Sequence, residues 1–220
     1  MSEHIIENYK EIVSTIPEYV TLVAVSKTKP KESIQTLYHH GQRVFGENRV
    51  EELIEKHKEL PKDIKWHMIG HLQSKKVKKI ASFVGLIHSV DSFKLLKEID
   101  KQAKKNERVI KCLLQFHIAE EETKYGLDKN EAIEFIHSDE FKSLENIDIK
   151  GVMGMATFTE NQNQVQKEFK NLKKISLEIQ KFLPHATEIS MGMSNDYLLA
   201  IQEESTMIRV GSSIFGSRKQ

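Results

Sequence analysis

Eight short apolar, β-branched runs recur along the chain, separated by longer charged stretches, and this alternation restricts the fold more than any other feature. The runs lie at residues 21–26, 43–45, 65–69, 86–90, 109–117, 147–153, 186–189 and 207–210. Between them, the spacing predicts helices at 31–40, 50–60, 74–81, 92–105, 129–138, 164–182 and 196–203. Leu95, Leu96 and Ile99 fall at helical intervals, as do Phe169, Leu172, Ile175 and Ile179, so each segment gains one apolar face. Strands alternating with helices make a parallel sheet covered by helices. Eight units predict an α/β fold closed into a (β/α)8 TIM barrel, a single domain over residues 1–220. A doubly wound open sheet is the alternative. After the eighth run only SSIFGSRKQ follows, too short for a covering helix plus a tail. An amphipathic segment at 3–15 precedes the first run, and this extra N-terminal helix is expected to cover the barrel where the last helix is missing.

A chain of 220 residues buries enough surface to fold without metal or disulfide staples. Its 33 basic residues balance 32 acidic ones, and a net charge of +1 lacks the broad positive field of a nucleic-acid binder. With one cysteine, Cys112, neither an internal disulfide nor a paired zinc site is available, which points to a reducing, cytoplasmic setting. The N-terminal MSEHIIENYKEIVSTI lacks the pattern of a signal peptide, and no run reaches the roughly 20 apolar residues of a membrane span. His67 and His71 are four apart, but a strand before them and Gly70 between them argue against a helical metal pair. The basic run at 75–79 reads as a solvated helix face. A monomer without membrane, metal or nucleic-acid partners is the expectation.

In such barrels the chemistry gathers where strands end and loops begin. Lys27 follows the first apolar run; partial desolvation there would lower an ammonium pKa, as a nucleophilic, Schiff-base lysine requires, although an ordinary solvated lysine fits the position too. Gly211, Ser212 and Ser213 after the eighth run, with Ser194 after the seventh, read as an anion cup of hydroxyls around a side-chain-free backbone, or else as a small-residue turn. Arg209, two residues before Gly211, cannot shed its charge and would hold an anion or a basic ring nitrogen. Neither G-x-x-x-x-G-K-[ST] nor G-x-G-x-x-G occurs.

The ordered set VAVSKTKP (23–30), FGENRVEEL (45–53), WHMIGHLQSKK (66–76), HSVDS (88–92), EEETKYG (120–126), GVMGMA (151–156), SMGMSNDYLLAI (190–201) and STMIRVGSSIFG (205–216) resembles the pyridoxal phosphate homeostasis protein family over nearly the whole chain. The resemblance implies a barrel of the alanine racemase N-terminal type carrying pyridoxal 5′-phosphate (PLP). It makes Lys27 the Schiff-base residue and sets Arg209 against the pyridine nitrogen. Ser194, with the backbone of Gly211 and Ser212, would hold the phosphate, while Asn48 and His67 match motif positions near the cofactor. The chain departs from the family pattern at Lys75 and His117, where Asn is frequent, and at Glu204, where Gly is common.

The resemblance also implies a PLP carrier in cofactor homeostasis, buffering or delivering PLP to PLP-dependent apoenzymes and influencing amino- and keto-acid balance. An arginine beside the pyridine nitrogen weakens the cofactor as an electron sink, and no room remains for the second domain that supplies racemases with an opposing tyrosine. No catalytic residue is therefore expected. The alternative, a single-domain PLP-dependent amino-acid racemase, needs a second acid–base group opposite Lys27, for which Tyr197 and His67 are the candidates. A PLP-free phosphosugar enzyme would use the cup and leave Lys27 without a purpose.

Overall fold

Each of the eight anticipated runs forms a strand, and the eight close on themselves. The structure, a computed structural model, describes residues 2–121 and 125–216; Glu122, Thr123 and Lys124 of the EEETKYG motif and the last four residues lie outside the described residues. The strands are β1 (Thr21–Val25), β2 (Val44–Glu47), β3 (Lys65–Met68), β4 (Leu86–Val90), β5 (Ile110–Gln115), β6 (Ile147–Met153), β7 (Glu188–Ser190) and β8 (Met207–Val210). All pair in parallel, and β1 pairs with β8 as well as β2, which rules out the open doubly wound sheet. The helices are α1 (Ser2–Thr15), α2 (Lys31–His39), α3 (Val50–Glu59), α4 (Ser74–Val77), α5 (Phe93–Lys105), α6 (Lys129–His137), α7 (Asp139–Lys142), α8 (Gln162–Gln180), α9 (Tyr197–Gln202) and α10 (Ser212–Phe215).

Alternation along each strand divides the apolar residues into two sets. Outward side chains pack under the helices: Leu95, Leu96 and Ile99 of α5 and Phe169, Leu172 and Ile179 of α8 are all buried there. Side chains bonding the helix starts fix where these elements begin: Ser92 accepts from the Leu95 amide and Asn161 from the Gln164 amide. Inward side chains Val23, Leu86, Leu113, Met153 and Met207 form a separate plug inside the barrel. Above that plug the inward positions turn polar. Helix α1 packs against α2 and α10, with the Asn8 amide donating to the Ile214 carbonyl, so the N-terminal helix does fill the ring beside the short α10.

Two differences from the periodicity have simple causes. Strand β2 extends through Gly46 and Glu47, because a buried glycine and a buried ion pair carry no apolar signal. Helix α4 stops at Val77, and residues after it fold back in turns that still bury Ile80 and Ala81. The run at 75–79 is a solvated face, Lys76 and Lys79 both pairing with Glu51.

Glu204 follows α9 in the left-handed region, φ 67°, where helices usually end on glycine. A side chain there costs about 1–2 kcal/mol, against which glycine loses about 0.5–1 kcal/mol of unfolded-chain entropy. Its exposed pair with Lys173 at 2.9 Å adds little. Glu204→Gly should therefore be neutral or slightly stabilising in urea unfolding, whereas Glu204→Val should cost roughly 1–2 kcal/mol. Equal losses in both would show that backbone conformation is not what constrains this position.

Candidate functional site

Thr21, Val23 and Val25 face inward along β1, and continuing that alternation beyond Ser26 aims Lys27 at the barrel mouth. Half-buried there, Lys27 lines a cavity of about 1330 Å³ at the C-terminal ends of the strands. Asn48, Ser194, Arg209, Gly211 and Ser212 line the same cavity. The volume exceeds the ~300–1,000 Å³ of a usual small-ligand pocket, so the mouth is roomy as well as concave.

The cup forms where the last two strands deliver their loops. The Ser194 hydroxyl accepts from the backbone amides of Gly211 at 3.2 Å and Ser213 at 3.3 Å, and the Ser213 hydroxyl donates to the Ser194 carbonyl at 3.3 Å. These amides converge on one oxygen, the arrangement that a phosphate oxygen also satisfies. Gly192 makes the loop possible: it sits at φ 94°, and a Cβ would lie 2.6 Å from the Ala200 Cβ. At the far end of α10, Lys29 Nζ donates to the carbonyls of Phe215 and Gly216, at 3.2 and 2.9 Å, tying the cup to the Lys27 loop.

Arg209 is 4% exposed and starts a polar chain through the barrel interior. Its Nη1 donates to Ser190 Oγ at 2.6 Å and its Nη2 to the Gly154 carbonyl at 3.0 Å. Ser190 Oγ lies 3.0 Å from His88 Nδ1, and His88 Nε2 lies 2.9 Å from His67 Nδ1. One direction satisfies every member. Ser190 accepts from Arg209 and gives its proton to His88 Nδ1, so His88 carries its proton on Nε2 and donates to His67. Burial lowers the Arg209 pKa to about 10, with Asp196 pulling the other way, so the guanidinium stays charged at neutral pH. Burial lowers His67 to about 3, helped by Lys65 and Lys111, and holds His88 well below 6.5, helped by His67 and Arg209.

His67 is therefore not brought to the cavity with the other six candidates; it reaches the mouth only through His88 and Ser190. Tyr197 touches the cavity, but its hydroxyl lies 3.2 Å from the Thr15 hydroxyl of α1. Of the two racemase candidates, His67 is absent from the cavity lining and Tyr197, which lines it, has its hydroxyl paired with Thr15. His71 pairs with Asp91 at 2.9 Å and stacks on Tyr125 at the rim, whereas His67 bonds His88 in the interior. His117 Nε2 lies 2.9 Å from the Glu121 carbonyl, and Lys75 is exposed on its helix.

Three clusters near the site, five residues in all, escape the sequence analysis. His88 and Ser190 sit at inward positions among apolar residues, and their only signal was strand parity. Behind β1, Lys56 bonds Glu47, Glu52 and the Ser26 carbonyl, a cluster built from separate elements. At the rim, Glu168 accepts from the amide and hydroxyl of Thr157, and Glu121 from the Phe158 amide, joining the loops after β5 and β6.

The profile of the family described as alanine racemase, N-terminal domain, matches residues 2–219. The pyridoxal phosphate homeostasis protein of Aquifex aeolicus is 39% identical over 203 residues, covering 90% of this chain and 87% of its own. Its human namesake is 38% identical over 210 residues, covering 90% of this chain and 76% of its own. PipY of Synechococcus elongatus, solved with PLP bound, matches with a TM-score of 0.87 at 36% identity, over 96% of this chain and all of that one. An alanine racemase of Clostridium difficile shares the fold at 16% identity, with a TM-score of 0.84 over 99% of this chain and 58% of its own. Matched over nearly its full length by that profile and by these homeostasis proteins, the chain belongs to the alanine racemase N-terminal domain family, in the branch of the pyridoxal phosphate homeostasis proteins.

Proposed function

We propose that this protein holds PLP covalently on Lys27 and serves intracellular PLP homeostasis, buffering the cofactor or delivering it to PLP-dependent apoenzymes. The observation that carries the reading is the convergence of an amine, an amide-and-hydroxyl cup and a buried guanidinium on one cavity. That donor set fits a phosphorylated pyridine aldehyde. Lys27 supplies the nucleophile, Ser194 with the amides of Gly211 and its neighbours receives the phosphate, and Arg209 faces the ring nitrogen. Asn48 borders the ring, and His67 supports Arg209 from beneath.

Bound PLP supplies an electron sink for carbanions at an attached amino acid. The protein limits that chemistry. Arg209 can only donate a hydrogen bond, so it leaves the ring nitrogen unprotonated and the sink weak. The wide mouth admits water and protects reactive species poorly. Both features suit loading and release better than turnover, so a carrier in the cytoplasm, acting as a monomer, is favoured over a racemase. The hydroxyl of Tyr197 and both rings of the His67–His88 pair are already engaged, which further weakens the racemase reading.

The test is direct. Borohydride reduction of the PLP-treated chain, followed by peptide mass mapping, should place one phosphopyridoxyl group on Lys27. A parallel sample of the PLP-treated chain, left unreduced, should exchange α-protons of L-amino acids no faster than free PLP. An unlabelled Lys27 peptide defeats the binding reading, and robust exchange defeats the carrier reading.

A further inference from the structure

Lys27 stands between two peptides that the same ion pair grips. On one side the Ser26 carbonyl accepts from Lys56 Nζ at 2.7 Å; on the other the Thr28 amide donates to Glu52 Oε1 at 2.6 Å. Lys56 and Glu52 are joined at 2.6 Å, one turn apart on α3. Lys56 is anchored again by Glu47 at 2.8 Å, whose carboxylate also accepts from the Ser26 hydroxyl at 2.6 Å. The Lys56 and Glu47 side chains are only 5% and 0% exposed, so the grip is built into the wall between barrel and helix. What it holds is strained: Thr28 lies at φ 63°, a region that β-branched residues avoid.

We infer that Glu52 and Lys56 are positioning residues that hold the loop in its left-handed turn at Thr28 and so aim the Lys27 amine into the cavity. The inference rests on PLP attachment at Lys27 and adds what makes that attachment favourable. Without the grip, Thr28 relaxes toward an ordinary extended or helical conformation, the following peptide swings, and the direction of Lys27 is lost. An amine that must first recover a disfavoured backbone state captures the aldehyde only from that minor fraction. A buried pair spent on a turn beside the functional lysine is the pattern expected where backbone strain serves a site.

Glu52 is the member to vary, because its side chain is 21% exposed and Lys56 keeps two other acceptors when it is removed. In the full chain, borohydride-trapped label would be measured against PLP concentration. Glu52→Ala should raise the concentration for half-trapping by about five- to thirty-fold, the factor matching the penalty of a left-handed non-glycine residue. Glu52→Gln retains an oxygen for the Thr28 amide and should stay within about threefold of the unmodified chain. Glycine tolerates the left-handed turn, so Thr28→Gly in the Glu52→Ala background should recover most of the loss, a rescue no general loss of stability predicts. Should Glu52→Ala fail to fold, Glu52→Asp, which withdraws the carboxylate by one methylene, takes its place with a smaller loss and the same rescue. Unchanged trapping in these variants, or a loss that Thr28→Gly does not restore, overturns the inference while the label still maps to Lys27. Absence of label on Lys27 in the unmodified chain is a different result, and defeats the binding reading itself.

Discussion

Lys27→Ala should leave a folded barrel that borohydride no longer labels after treatment with PLP. The half-buried side chain projects from a strand end into an open cavity, so its loss removes no packed core, and stability should stay within about 1 kcal/mol of the parent. Covalent capture should fall to background, because the next amine in the loop is already employed. Lys29 Nζ donates to the carbonyls of Phe215 and Gly216, and leaving them would strip the C-terminal end of α10 of its partner. Binding itself should weaken without vanishing: the Ser194 cup and Arg209 remain, and dialysis should then remove PLP that the parent retains. The decisive measurement pairs mass mapping with retained absorbance after dialysis. Label that moves to Lys29 would show the α10 tether to be labile, and undiminished label elsewhere would remove Lys27 from the site.

The barrel was legible because it is written in periodicity: apolar alternation every two residues and helical spacing between runs survive as patterns in one dimension. The ends of the strands were legible too, since parallel β/α units deliver them to one face; Lys27, Ser194, Arg209 and Gly211 follow from that rule and meet in one cavity. What stayed hidden depends on side chains meeting across the barrel. Ser190 and His88 are 102 residues apart and touch only because the sheet closes. Lys56, one of 33 basic residues, reads as a solvated helical lysine until α3 is laid against the outside of β2 and β3, within reach of the Ser26 carbonyl just past β1. His67 shows the converse: a motif position next to the site in sequence terms, it faces inward below the cavity, because it lies level with Gly46, two residues before the cavity-lining Asn48 that follows the paired strand.

Acid should unfold this protein earlier than its charge balance suggests, and the cause lies in the polar chain inside the barrel. His67 and His88 are buried and neutral, with folded pKa values pushed below the ordinary 6.5, to about 3 for His67. An unfolded chain binds a proton on each near pH 6.5, whereas the native chain does not. Stability is therefore complete above pH 6.5 and is lost as pH falls toward 3, by up to about 1.4 kcal/mol per pH unit for each ring. With its folded value at about 3, His67 alone accounts for roughly 2 kcal/mol at pH 5, and His88 acts in the same direction. His57, stacked on Phe83, is shifted in the same direction by partial burial, so the slope alone does not identify the pair. His88→Gln does. An amide can keep a bond to Ser190 and to His67 but cannot titrate, so the variant should lose some stability at pH 7 and show a shallower pH dependence in urea unfolding between pH 7 and 5. An unchanged slope would place the acid sensitivity elsewhere. The neutrality of the pair also bears on the site above it: a proton on His88 would put a second cation on Ser190, opposite Arg209, and loosen the guanidinium that the polar chain holds in place.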